Sequence, residues 1–168
     1  GWRAEEAAIR EGLSRVDMPA RTEVLRRRPM VILDAAHNVA SVRALIDVLR
    51  ETCPRAAAGQ RILVFAASQD KDVAAMLGLL LAEFDVAILT RFLNNPRAAD
   101  PDVLLQMAEQ IAADKGGDSC RLITRDNSTE AWDLARSLAA DDDVICVAGS
   151  FFLASELRSL ISQQSQNP

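Results

Sequence analysis

Asp34, His37 and Asn38 stand close together in Asp34-Ala35-Ala36-His37-Asn38, and His37 is the single histidine of the chain. Three apolar residues, Val31, Ile32 and Leu33, lead straight into this group. Behind it Val42, Leu45, Ile46 and Leu49 recur at i, i+3, i+4 and i+7, the period of an amphipathic helix. The stretch reads as a buried strand, a tight polar loop and a helix. In open parallel α/β sheets, ligands bind outside the carboxyl ends of the strands. Asp34 would mark such an end, with His37 and Asn38 just beyond it. There a carboxylate accepts hydrogen bonds from sugar hydroxyls. A histidine, tunable near neutral pH, donates to or accepts from a polar substrate. Local structure accounts for the same residues: aspartate before a helix is often a cap, and a single histidine usually serves the fold.

Two more polar loops follow apolar runs. Ser68-Gln69-Asp70-Lys71-Asp72 comes after residues 61–67 (RILVFAA), and residues 91–97, ending in Arg97, come after residues 85–90 (DVAILT). All three loops would open on one sheet edge. Their carboxylates, histidine, lysine and arginines suit a ligand carrying both phosphate and carboxylate groups. A Walker A loop needs a Gly-Lys step, yet Lys71 and Lys115, the only lysines, follow Asp70 and Asp114. G-x-G-x-x-G is absent, and Asp34-Ala35 is not the acidic pair of a phosphoacceptor receiver. Cys53, Cys120 and Cys146 are odd in number and widely spaced. Cys120 and Cys146 read as buried small hydrophobes. One histidine and no cysteine cluster argue against a structural zinc site, and a reducing cytoplasm fits.

The elements that position these residues alternate. A helix is expected over residues 2–16, with Ala8, Ile9, Leu13 and Val16 on one face, broken at Met18-Pro19-Ala20-Arg21. A short strand is expected over 22–26, and the basic run Arg26-Arg27-Arg28 reads as a solvated turn before the next strand. The helix after Asn38 ends near Cys53-Pro54. Val73, Met76, Leu77 and Leu80 mark another helix, and Asp100-Pro101 starts a third that Leu104, Met107 and Ile111 carry to Lys115-Gly116-Gly117. Residues 120–124 form a short strand. Asn127 and Glu130 resemble a capping box for a helix with Ala131, Leu134, Ala135 and Leu138 on one face. Residues 143–148 form the last strand, and Gly149-Ser150 turns into a final helix with Leu153, Leu157, Leu160 and Ile161; residues 163–168 are expected to fray.

Continuous apolar strands are the mark of parallel strands covered on both faces. With right-handed crossovers, the chain is an α/β three-layer sandwich with a mostly parallel, Rossmann-like sheet, in one domain of 168 residues. A hydrophobic content of 49% argues against disorder, and a net charge of −5 argues against a non-specific nucleic-acid surface. No apolar run approaches the ~20 residues of a membrane span, and no secretory pattern opens the chain. The first residue is not methionine and the chain opens inside a helical pattern, so a fragment of a longer protein is expected.

Pro19-Ala20-Arg21, Val31 to Asn38, Asp70-Lys71-Asp72, Leu89-Thr90-Arg91 and Asn95-Pro96-Arg97-Ala98-Ala99-Asp100-Pro101 together resemble the C-terminal domain of folylpolyglutamate synthase/dihydrofolate synthase, in the muramyl-ligase superfamily. The resemblance covers residues 1 to about 162. It implies the muramyl-ligase C-terminal domain fold and an ATP-dependent amide ligase. ATP phosphorylates a carboxylate of folate or dihydropteroate, and the amine of L-glutamate displaces the phosphate. By position, Arg21 matches an arginine that contacts ATP phosphates, Asp34 the aspartate that holds the ATP ribose, and His37 a catalytic histidine near the incoming glutamate. Ser68, Lys71 and Arg97 match cleft-facing positions less closely. The family's P-loop, its Mg2+ ligands and its folate surfaces lie largely in a preceding domain, so the implied partners are that N-terminal domain and small molecules, not nucleic acid or membrane. No metal ligand is assigned to this chain, which alone is expected to be inactive. Two residues depart from the family pattern: Ala20 replaces a glycine and Val39 a proline. Alanine tolerates positive φ poorly, so a change in the shape of the Arg21 loop is expected. A peptidoglycan-precursor ligase domain and a stand-alone nucleotide- or metabolite-binding module are the alternatives.

Overall fold

The apolar runs fold as parallel strands because alternate side chains of each are buried on opposite faces. A computed structural model describes residues 5–14, 18–55, 59–93, 95–116 and 120–164. Helix α1 (Glu6–Ser14) precedes β1 (Glu23–Arg27) and β2 (Met30–Leu33). Then α2 (Val39–Thr52), β3 (Arg61–Phe65), α3 (Val73–Leu80), β4 (Val86–Leu89), α4 (Pro101–Asp114) and β5 (Arg121–Thr124) alternate. The chain closes with α5 (Ser128–Leu138), β6 (Val144–Ala148) and α6 (Phe151–Gln164).

The six strands form one sheet in the order β1-β2-β6-β3-β4-β5. From β2 to β5 all neighbours are parallel; β1 alone pairs antiparallel, at the edge, with a bulge between Val24 and Arg26. Ile32, Leu63, Phe65, Leu89 and Cys146 pack under α2, α3 and α4. Val31, Leu33, Ile62, Val64, Ile88 and Val147 face α5 and α6. The three layers and the mostly parallel sheet are those expected from the apolar runs. No helix among the described residues is long and apolar enough to cross a membrane.

Several local expectations shift. Arg26 and Arg27 lie inside β1, exposed, and only Arg28 is left for the turn with Pro29. The buried stripe of α4 is Pro101, Leu104 and Ala108. Met107 is instead exposed, because α4 covers the narrow β4–β5 end of the sheet and buries a thinner stripe. Asn127 caps α5 through the Glu130 amide at 2.9 Å. The Glu130 carboxylate accepts from the Asn127 side-chain amide rather than from the backbone, so the box is not reciprocal through the backbone. In α1, Ile9 is exposed and joins no core cluster. Trp2, Val16 and Gly117 lie outside the described residues, as do the tail positions 165–168.

The amino edge of the sheet is locked by charge. Arg61, at the first position of β3, is 1% exposed. Its guanidinium donates to the Cys53 carbonyl and, at 3.4 Å, to the Glu83 carboxylate. Arg50 meets the same carboxylate from α2. The Asp85 carboxylate accepts the Arg61 backbone N–H at 2.7 Å and the Arg55 guanidinium at 2.8 Å. Removing one partner of a buried pair strands the other charge, at about 3–5 kcal/mol. Glu83→Ala should therefore lower the urea midpoint by a shift of that order with little change in slope; a midpoint equal to wild type would show that the pair does not hold this edge.

Candidate functional site

Strand β2 ends where backbone bonds hand over to side-chain bonds. The Asp34 N–H still reaches the Val147 carbonyl of β6 at 2.9 Å. Its carboxylate is buried, with the residue 5% exposed. Oδ1 accepts the Ala36 N–H at 2.7 Å, while Oδ2 accepts the Thr22 N–H at 2.8 Å and the Thr22 hydroxyl at 3.1 Å. Asp34 thus ties residues 20–22 to the strand end and caps no helix. The cap of α2 is Asn38, whose Oδ1 accepts the Ser41 N–H at 2.9 Å while the Ser41 hydroxyl accepts the Asn38 N–H at 3.2 Å. Val39 opens the helix without help from proline. His37 is half-buried, and its Nδ1 lies 2.9 Å from the Ala35 carbonyl. A carbonyl only accepts, so Nδ1 donates this bond, and in the neutral ring Nε2 is then the acceptor.

Arg21 sits between two residues with left-handed backbones, Ala20 at φ 56° and Thr22 at φ 48°. Alanine does not abolish the left-handed turn; it holds it at a cost of about 1–2 kcal/mol, offset by the bonds around it. Ala20 donates to Glu23 Oε2 at 2.9 Å and accepts from the Ala35 N–H at 2.7 Å. The Arg21 side chain is exposed, and among the described residues its guanidinium has no hydrogen-bond or ion-pair partner. An arginine held forward on a tethered turn, with its charge unspent, is suited to a phosphate.

The other loops form a second group. Residues 67–69 and 97–99 are zipped together: Gln69 N–H to the Arg97 carbonyl at 2.9 Å, Ala99 N–H to the Ala67 carbonyl at 2.8 Å, and a bridge between Ser68 and Ala98. Ser68 is consequently 7% exposed. Lys71 pairs with Asp70 at 2.9 Å. That bond, with the Arg97 charge adding to it, holds the Asp70 carboxyl below its ordinary range. Lys71 also lines a groove of about 500 Å³ with Val73, Asp100, Val103, Leu104 and Met107. The β4 end stands three strand spacings from β2, about 14 Å. Arg91 turns further away, its Nε donating to the Asp126 carbonyl at 3.0 Å.

Gly149-Ser150 looks in the sequence like a plain turn, but β6 lies between β2 and β3, so this turn joins the two groups. The Gly149 N–H donates to the Ala36 carbonyl at 2.8 Å. At φ 106° a Cβ on Gly149 would stand 2.5 Å from the Ala66 carbonyl oxygen, so no larger residue fits. Ser150 is 3% exposed, its hydroxyl accepting the Phe152 N–H at 3.1 Å. Helices α2 and α3 leave toward one face of the sheet and α6 toward the other. The site therefore lies at a topological switch point. A glycine directly after a buried apolar strand was the available signal.

The three cysteines are buried, and burial pushes the Cys120 thiol up to about 12, which leaves it no nucleophilic character near neutral pH. No group of three or more His, Cys, Asp or Glu placed to hold a metal ion occurs among the described residues.

Comparison with known proteins adds four findings. The family described as Mur ligase, glutamate ligase domain, matches residues 20–151. A dihydrofolate synthase/folylpolyglutamate synthase of Mycobacterium tuberculosis is 34% identical over 174 residues, covering 95% of this chain and 34% of that protein. E. coli FolC in complex with DHPP and ADP superposes with a TM-score of 0.82 at 26% identity, over 98% of this chain and 36% of that one. A bifunctional folylpolyglutamate synthase/dihydrofolate synthase of Yersinia pestis, complexed with AMPPNP and Mn ion, superposes at 0.77 with 26% identity, over 95% and 35%. The chain thus spans about a third of the length of these relatives.

Asp34→Asn should behave as a disruptive change, because an amide offers one acceptor oxygen where two are occupied. Either Thr22 or Ala36 then faces an NH2 group, a loss of about 1–3 kcal/mol. Asn38→Ala should lose about 1 kcal/mol, a cap's worth. Thermal unfolding of the two variants checks this; equal losses would mean that the Asp34 carboxylate does not hold the loop.

Proposed function

The chain belongs to the Mur ligase glutamate ligase domain family, and from that premise we propose that it is the C-terminal domain of an ATP-dependent ligase that adds L-glutamate to folate or dihydropteroate. What supports this most is the unpaired Arg21 guanidinium, held on a tethered turn beside Asp34 and His37 at the switch point of the sheet.

In this reading Arg21 meets the ATP phosphates with charge-assisted hydrogen bonds. Asp34 has three of its roughly four acceptor sites occupied, which leaves one for a ribose hydroxyl. The acceptor's carboxylate oxygen attacks the γ-phosphorus of ATP; ADP leaves and an acyl phosphate forms. The glutamate amine then attacks the acyl carbon, the amide bond forms as the nitrogen gives up a proton to solvent, and inorganic phosphate leaves with the bonding electrons. His37, with Nε2 free to accept, orients that amine. Ser68, Lys71 and Arg97 stand farther along the edge, where Lys71 and Arg97 supply positive charge for a carboxylate. Mg2+ is assigned to residues of the preceding domain, as the family resemblance implies, and no step here runs through it. The P-loop and folate-binding surfaces are assigned to an N-terminal domain of the same protein, and the enzyme to the cytoplasm.

The test is ADP release by the full-length enzyme with ATP, glutamate and either dihydropteroate or a reduced folate, against a UDP-muramoyl peptide with its amino acid as the competing acceptor pair. Turnover confined to the second pair overturns the folate assignment. Arg21→Ala should raise the KM for ATP about tenfold or more, and Arg21→Lys should rescue only in part, because the fork is lost. His37→Ala should raise the KM for glutamate or lower kcat and leave ATP nearly unaffected. The 168-residue chain alone should release no ADP.

A further inference from the structure

Two non-glycine residues with left-handed backbones flank Arg21, so its loop is strained and needs tethers. Three are local: Arg21 N–H to the Met18 carbonyl at 3.2 Å, Ala35 N–H to the Ala20 carbonyl, and Thr22 to the Asp34 carboxylate. The fourth is itself held from far along the chain. Glu23, the first residue of β1, accepts the Ala20 N–H at 2.9 Å through Oε2. The same carboxylate is held by Arg158 of α6, whose Nε lies 3.1 and 3.0 Å from its two oxygens and whose Nη2 lies 2.9 Å from Oε1. This is a fork-on-carboxylate pair, the geometry that orients a carboxylate as well as binding it.

We propose that Glu23 and Arg158 are positioning residues that hold the Arg21 turn in its strained form, so that its guanidinium is ready for the ATP phosphates; this rests on the ATP reading of Arg21. Ala20 is 5% exposed, and its N–H is served by the Glu23 carboxylate. Without that carboxylate the left-handed turn loses the bond that offsets its strain. Both residues act through the Arg21 turn, on Ala20, which precedes Arg21. Arg158 lies two turns along the helix that Gly149-Ser150 launches. The clamp therefore ties the Arg21 turn to the helix starting at the centre of the site. The bond from Arg158 also keeps the Glu23 carboxyl below its ordinary range, against the opposing effect of burial.

The experiment is steady-state kinetics of the full-length ligase with ATP and glutamate varied separately, beside thermal unfolding. Glu23→Ala should raise the KM for ATP about tenfold and leave the KM for glutamate unchanged. Glu23→Gln, which still offers an oxygen to Ala20 but loses the ion pair, should fall between. Arg158→Lys should rescue part of the loss seen in Arg158→Ala. In an Arg21→Ala background, Glu23→Ala should add almost nothing to the KM for ATP. A wild-type KM for ATP in Glu23→Ala, or a loss that adds in full to that of Arg21→Ala, overturns the clamp. Wild-type kinetics of Arg21→Ala itself overturn the ATP reading, and the clamp with it.

Discussion

A carboxylate buried at the end of a central strand has to find donors, and the donors available to Asp34 are the Thr22 N–H and hydroxyl and the Ala36 N–H. Meeting that demand draws the turn before β1 onto the end of β2 and curls the 34–37 loop back on itself. Arg21 is carried forward as a consequence, and the curl brings the Ala35 carbonyl within 2.9 Å of His37 Nδ1. The side chain expected to touch ligand is thus also the side chain that builds the ligand-facing loops. Among the described residues Asp34 is the one buried acidic group at this end of β2, so its folding role and its proposed binding role fall on the same side chain.

The second constraint is where the last strand goes. β6 enters between β2 and β3, so the loop it launches must pass between two others already in place. Only a residue without a side chain clears the Ala66 carbonyl there, and Gly149 also takes the positive φ that starts α6. That crossing sets the turn after β6 against the loop that carries Asp34 and His37, through the Gly149 N–H and the Ala36 carbonyl.

Charge is used differently at the two edges of the sheet. At the amino edge Arg61, Arg50, Glu83, Arg55 and Asp85 are paired with one another, and the potential there is spent on holding strands together. At the carboxyl edge Arg21 is left unpaired while its backbone is held from four directions. The proposed contact with a polyanion would use that asymmetry: fixed geometry around the cation and, among the described residues, no anion paired with it.

Much of this was legible in the residues alone. Continuous apolar runs identify parallel strands buried on both faces, because burial on both sides leaves no polar alternation to write into the sequence. The helical periods, the Asn127 cap and the Asp100-Pro101 start were local and readable for the same reason: each depends on neighbours within a turn or two. Asp34 and His37 were found as chemistry-bearing residues at a strand end. What could not be read was anything carried by long-range contact. Arg61 looked like the first residue of an apolar strand, and its partner Glu83 is 22 positions away. The place of β6 between β2 and β3, the use of Gly149 and the antiparallel edge strand β1 depend on strand order, which no local pattern encodes. Glu23 meets Arg158 across 135 positions. The sequence by itself determined which segments become strands and helices and which residue types stand at their ends, because those choices rest on local burial patterns and caps. Only the tertiary structure decided which of those ends meet and which charges are spent on one another, because that depends on how the packed layers bring distant residues into contact.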